Sequence, residues 1–171
     1  MECLVRFQLF SALGLAFMLG VPLTGCSPVV GDECTTNIEC SATGDRICDT
    51  AQKGGYCTVQ GCTPDSCPEE AHCISFYPTE FLERTCTPET EDAVDPALPA
   101  TDDCLPDEFC LSSGFCAQRS LESRFCMARC DDGGDCRDGY ECRTTGTLGA
   151  EAVIDPTRVE RRVFKFCAQR P

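Results

Sequence analysis

Cysteine content constrains this chain more than any other feature: 18 of its 171 residues are cysteine, and 16 of them fall between Cys34 and Cys167. From residue 26 onward only 24 residues are Leu, Ile, Val or Phe, set against 27 acids and 13 bases. So little apolar surface under so much charge would leave an ordinary chain disordered. An even set of cysteines at short intervals supplies what the core lacks, because each cross-link closing a loop of about 15 residues removes roughly 3 kcal/mol of unfolded-state entropy in the loop-closure model. The expected fold class is therefore small and disulfide-rich, with short strands, turns and sparse regular secondary structure.

Metal binding is the competing use of so many thiols. A zinc site draws two ligands from each of two tight turns, usually spaced Cys-x2-Cys to Cys-x4-Cys. No Cys-x2-Cys occurs here, the closest pair is Cys126 and Cys130, and His72 is the only histidine. The same absence argues against a thioredoxin-type redox role. We therefore expect eight disulfides and no cofactor.

The spacings expose an internal repeat. Four quartets follow one another: Cys34, Cys40, Cys48, Cys57; Cys62, Cys67, Cys73, Cys86; Cys104, Cys110, Cys116, Cys126; and Cys130, Cys136, Cys142, Cys167. In each, the first gap is four or five residues, the second five to seven, and the third eight to 24. Two constant gaps and one elastic gap describe a small knot carrying a variable loop. Gly55-Tyr56-Cys57, Gly114-Phe115-Cys116 and Gly139-Tyr140-Glu141-Cys142 repeat a glycine–aromatic signal. Glycine suits a tight turn, and the ring can cover a disulfide. Four cysteines permit three pairings, so connectivity stays open.

Quartets one and two are joined by four residues and three and four by three, but 17 residues, Thr87 to Asp103, separate the middle two. That stretch is acidic and contains Pro88, Pro96 and Pro99, and it reads as an extended, self-repelling linker. The expected organisation is a tether at 26–33, a first lobe at 34–86, the linker at 87–103 and a second lobe at 104–167. Residues 26–118 hold 18 acids and 3 bases, whereas 119–171 hold 9 and 10. Within the last loop, Glu151–Ile154 and Arg158–Phe166 flank Asp155-Pro156-Thr157 and predict a β-hairpin. Phe76 to Leu82 fits either a short helix or a loose loop.

At the N-terminus, Arg6 precedes an apolar run from Leu9 to Leu19 and a small-residue stretch, the three parts of an export signal, assigned to residues 1–25. Residues 7 to 31 are uncharged, but Gly20, Pro22, Gly25 and Pro28 interrupt the run and no basic cluster follows, which disfavours a retained span. Leu23-Thr24-Gly25-Cys26 resembles the lipobox of bacterial lipoproteins. The resemblance implies that Cys26 becomes the lipidated N-terminal residue, its acyl chains (palmitate among them) exceeding the two-signal requirement for stable anchoring. Ser27 resembles the default signal for delivery to the outer membrane of a Gram-negative bacterium. The run Cys126-Met-Ala-Arg-Cys130-Asp-Asp-Gly-Gly-Asp-Cys136-Arg-Asp-Gly-Tyr-Glu-Cys142, with Gly54-Gly55-Tyr56-Cys57 onward, is similar to the tandem cysteine repeats of predicted lipoproteins of myxobacteria and related bacteria. That resemblance implies an envelope lipoprotein with disulfide knots and brings no catalytic residue.

Candidate sites are few. Asp131, Asp132 and Asp135, with Asp138, form an acidic loop that could offer calcium hard oxygen ligands, but Gly133 and Cys142 break the EF-hand pattern, and a solvated acidic turn is the favoured reading. Arg158, Arg161, Arg162 and Lys165 could meet anionic headgroups, lipopolysaccharide or the protein's own acidic lobe, with a charged edge that discourages strand pairing as the plainer reading. Catalysis is disfavoured: His72 adjoins Cys73, whose thiol is expected to be oxidised, and the acids are too numerous to mark a couple. The function expected is a membrane-anchored, extracytoplasmic, non-enzymatic binding or structural module with a protein or glycan partner and no nucleic acid. The alternative is a protease-inhibitor-like module presenting one exposed loop.

Overall fold

The computed structural model describes residues 28–89, 104–154 and 163–170; the export signal and Cys26 lie outside the described residues. In chain order the elements are a single helical turn α1 (Asn37–Cys40), then β1 (Ile47–Cys48), β2 (Cys57–Thr58), β3 (Ala71–Phe76), β4 (Glu108–Cys110), β5 (Cys116–Gln118), β6 (Ser123–Ala128), β7 (Tyr140–Thr144), β8 (Ala150–Ala152) and β9 (Lys165–Gln169). Three 3-10 turns complete them, at Thr79–Phe81, Arg119–Leu121 and Gly133–Asp135. The first shows that Phe76 to Leu82 is the end of a strand followed by one tight turn.

All sixteen cysteines from Cys34 onward are paired, and they form four copies of one motif. In each copy the third and fourth cysteines stand directly opposite one another in an antiparallel pair: Cys48 and Cys57, Cys73 and Cys126, Cys110 and Cys116, Cys142 and Cys167. They bond not to each other but to the first and second: Cys34–Cys48 with Cys40–Cys57, Cys62–Cys73 with Cys67–Cys126, Cys86–Cys110 with Cys104–Cys116, Cys130–Cys142 with Cys136–Cys167. Cα–Cα separations repeat as well, 5.8–5.9 Å for first-to-third links and 5.3–5.6 Å for second-to-fourth. Cysteines opposite one another on paired strands project from the same face, so two crossing links can be taken from one side of a hairpin.

The grouping of the middle eight cysteines differs from consecutive quartets. Cys126 completes the second knot and Cys86 begins the third, so the whole third knot lies inside the hairpin loop of the second. This overturns the two-lobe division at 34–86 and 104–167. Cys67–Cys126 and Cys86–Cys110 both link residues on opposite sides of segment 87–103. A three-stranded sheet, ordered β6-β3-β8, does the same through six residue pairs between β3 and β6. The physical reason is that the elastic position of the motif is its hairpin loop, which accepts an insertion of any length without disturbing the cysteines at its ends. In the third knot the long gap is instead the first, so the acidic stretch expected to link two lobes is internal to a knot; residues 90–103 lie outside the described residues.

The expected hairpin over residues 151–166 does not form between its described arms. β8 pairs with β3 (Ile74 opposite Ala152, Phe76 opposite Ala150), whereas β9 pairs with β7. The disulfide framework sets Cys167 opposite Cys142, and Arg129 bridges the other edge of β9 at Phe166, so both edges of β9 are occupied.

The residues read as a tether are also partly folded. Val30 is 2% exposed, Gly31 N donates to the Cys57 carbonyl and Cys57 N to the Asp32 carbonyl, each at 2.9 Å, and Arg46 donates to the Pro28 carbonyl. Residues 28–33 are thus an arm clasped to the first knot. Gly55 lies alongside at φ +68°, where a Cβ would stand 1.9 Å from the Cys34 carbonyl oxygen, so only glycine fits.

One core joins knots one, two and four around Tyr56, Ile74, Cys126, Met127, Tyr140 and Phe166. Tyr56 and Tyr140, both from the glycine–aromatic signals, have ring centroids 5.4 Å apart, and the Arg137 guanidinium lies 4.2 Å from Tyr140 and 5.6 Å from Tyr56. The rings cover one another at a junction between knots one and four. Phe115, from the remaining glycine–aromatic signal, is exposed. A second, smaller cluster of Tyr77, Leu111 and Ala117 seats the inserted knot on the sheet.

Candidate functional site

The side chains singled out by the sequence do not converge. In the acidic loop, Asp135 Oδ2 accepts from Asp131 N at 2.7 Å and Asp132 N at 3.1 Å, and Asp132 Oδ1 accepts from Gly134 N at 2.7 Å. These bonds cap the 3-10 turn and hold Asp135 below the ordinary carboxylate range. Among the described residues, every group of three possible metal-ligand atoms includes at least two disulfide-bonded cysteines, one of them adding Glu108, and the Asp131–Asp135 loop is not among them. Of the basic residues on the expected hairpin, Arg158, Arg161 and Arg162 lie outside the described residues, and Lys165 Nζ donates to the Asp131 carbonyl at 2.9 Å.

His72 lies on β3 beside a cysteine engaged in Cys62–Cys73, so no thiolate is available to it. Its ring stacks on Phe164 with centroids 4.0 Å apart and planes 11° from parallel. Burial, with a smaller contribution from Arg129, pushes its pKa down from 6.5 to about 4. The neutral ring is therefore the native form, and the sign follows: the unfolded chain takes up a proton below pH 6.5 that the folded chain refuses until about pH 4. Stability from this residue is complete above pH 6.5 and is lost progressively toward pH 4. We expect His72→Phe, which keeps the stacking and removes the titration, to narrow the gap between urea midpoints at neutral and acid pH; an unchanged gap would refute the assignment.

Among the described residues, a cleft of 410 Å³ between the three-stranded sheet and the inserted knot combines charge with an apolar wall. Its floor follows from strand register. Arg124 and Glu151 stand opposite Ser75 on its two sides, so β6, β3 and β8 present one polar row on a shared face. Glu122 and Tyr77, two positions further along their strands' lines, share that face. The inserted knot supplies the facing wall through Phe109, Leu111, Ser112 and Arg119. Tyr77 meets Phe109 edge-on at 5.2 Å, and its phenol is pushed upward by burial and by the Glu122 carboxylate.

Most of the charge in the cleft is satisfied within it. Arg124 donates from Nε and Nη2 to the two Glu122 oxygens at 2.8 and 2.9 Å, a bidentate pair. Glu151 accepts from Ser112 N at 2.9 Å and from the Ser112 hydroxyl. Arg119 differs: its guanidinium lies 5.1 Å from the Phe109 ring centroid and, among the described residues, makes no ion pair.

Sequence reasoning missed this cleft. The spacing of Glu122 and Arg124, two apart before a β-rich run, marks one face of a strand, but nothing in it discloses that Ser75 and Glu151 flank Arg124. No family model matches the chain, and neither the curated proteins nor the solved structures contain a significant match to it.

Proposed function

We propose that this chain is a lipid-anchored extracytoplasmic protein whose knotted body is a non-enzymatic binding or structural module. The observation that carries the reading is four copies of one crossed-disulfide hairpin behind an N-terminus resembling a lipobox. Eight disulfides belong to an oxidising, extracytoplasmic compartment. Among the described residues no helix is long and apolar enough to cross a membrane. Attachment in this reading comes from acylation of Cys26, with the outer membrane as the destination suggested by Ser27.

The test is Cys26→Ser expressed in a Gram-negative host. Fatty-acid labelling and recovery in the membrane fraction should both be lost; label retained by the variant would overturn the anchor.

A further inference from the structure

We propose that the cleft between the three-stranded sheet and the inserted knot binds a compact apolar carboxylate, such as the C-terminal residue of a peptide, with the carboxylate on Arg119 and the apolar body against Phe109 and Val153. The proposal deepens the binding-module reading and rests on it, although it does not require the lipid anchor.

Charge complementarity selects the anion. Glu122 is matched to Arg124, and the Glu151 oxygens already accept from the amide and hydroxyl of Ser112, so Glu151 keeps its charge but its acceptors are engaged. Arg119 is the cation without an acidic partner among the described residues, and its guanidinium carbon lies 5.1 Å from the Phe109 ring centroid. A guanidinium carries its N–H donors in its own plane, so one resting on a ring keeps a fork able to take both oxygens of a carboxylate.

Shape and field set the rest of the ligand. The cleft, at 410 Å³, is at the small end of the range for ligand sites, about 300–1,000 Å³, and suits one or two residues rather than a polymer chain. Phe109 and Val153 are half-buried beside the polar row, so the part of the ligand behind its carboxylate must be apolar. A net charge of −14 repels a polyanion far more strongly than a ligand carrying a single carboxylate.

The experiment uses the full chain, purified in detergent with its disulfides formed, and follows backbone amides by NMR while N-acetyl-phenylalanine is added. We expect saturable shifts at Phe109, Ser112 and Val153 in the millimolar range appropriate to so small a ligand. N-acetyl-phenylalaninamide, which lacks the charge, should bind about tenfold more weakly, and Arg119→Gln should lose a similar factor for the acid while leaving the amide unaffected. Arg119 is exposed, so the variant should keep the parent spectrum away from the cleft. Val153→Ser provides a second variant, expected to weaken acid and amide alike. Tighter binding of N-acetyl-phenylalanine than of 3-phenylpropionate would identify a peptide end as the source, and the reverse order a free acid. Equal binding of acid and amide, shifts centred elsewhere, no saturable binding, or indifference to Arg119→Gln would each overturn the proposal. Cys26→Ser leaves the cleft intact, so loss of the anchor assignment and loss of the ligand assignment are read separately.

Discussion

Cutting the chain at a protease site engineered within residues 90–103 is expected to leave its two halves joined on a non-reducing gel and to separate them only after reduction. Cys67–Cys126 and Cys86–Cys110 both span the cut. A two-lobe molecule with eight cysteines on each side would give two bands without reductant, and that outcome would refute the nested connectivity. Removing Cys67 and Cys126 together should leave the halves joined by Cys86–Cys110 alone; removing all four cysteines should release them. The Cys67–Cys126 pair closes a separation of 59 residues, for which chain entropy gives about 4 kcal/mol. That is an upper value, since the links of the inserted knot already shorten the loop. A shift in denaturation midpoint toward the lower part of the 2–4 kcal/mol range is the expected result for the Cys67→Ala, Cys126→Ala double variant.

Tyr56→Ala should be among the most damaging single substitutions outside the cysteines, costing about 3–5 kcal/mol in a chemical denaturation experiment with disulfides intact. Tyr56 is 1% exposed, and its ring packs on Tyr140 between knots one and four. Its hydroxyl accepts from Ala128 N at 2.9 Å and donates to the Cys167 carbonyl at 3.4 Å, reaching the second knot as well. Truncation therefore opens a cavity and strands a backbone donor at one point. Tyr56→Phe, which keeps the ring and removes only the hydroxyl, should cost about 1 kcal/mol. A wild-type midpoint for Tyr56→Ala would mean that the knots are held by their disulfides alone and that the shared core contributes nothing.

Local chemistry alone made several features legible. The repeat itself, the disulfide-rich class and the cysteine sets of the first and last knots could be read because those two knots are made of near neighbours, with their second gaps set by a short turn. The value of Gly55 before Tyr56 was readable for the same reason, since a tight turn at positive φ leaves its mark in residue type. The hairpin expected at residues 151–166 failed because β-propensity says that a segment will pair without saying with what. In the acidic loop, read chiefly as a solvated turn with calcium as the lesser alternative, Asp132 and Asp135 accept from backbone amides of their own turn.

What the sequence by itself determined is the unit: four cysteines, two constant gaps, one elastic gap, and too little apolar surface for any of them to fold without cross-links. Only the tertiary structure decided how the units share their cysteines. A disulfide depends on the approach of two Cα atoms to within about 6 Å and is indifferent to the number of residues between them. Cys126 could therefore close a knot begun at Cys62 as readily as one begun at Cys104, and spacing could not tell the two apart. The choice fell to the pairing of β3 with β6, which sets Cys73 opposite Cys126 and buries Ile74 completely in the common core. The cleft is a consequence of that choice, because Ser112 meets Glu151 across it only when the third knot is carried inside the second.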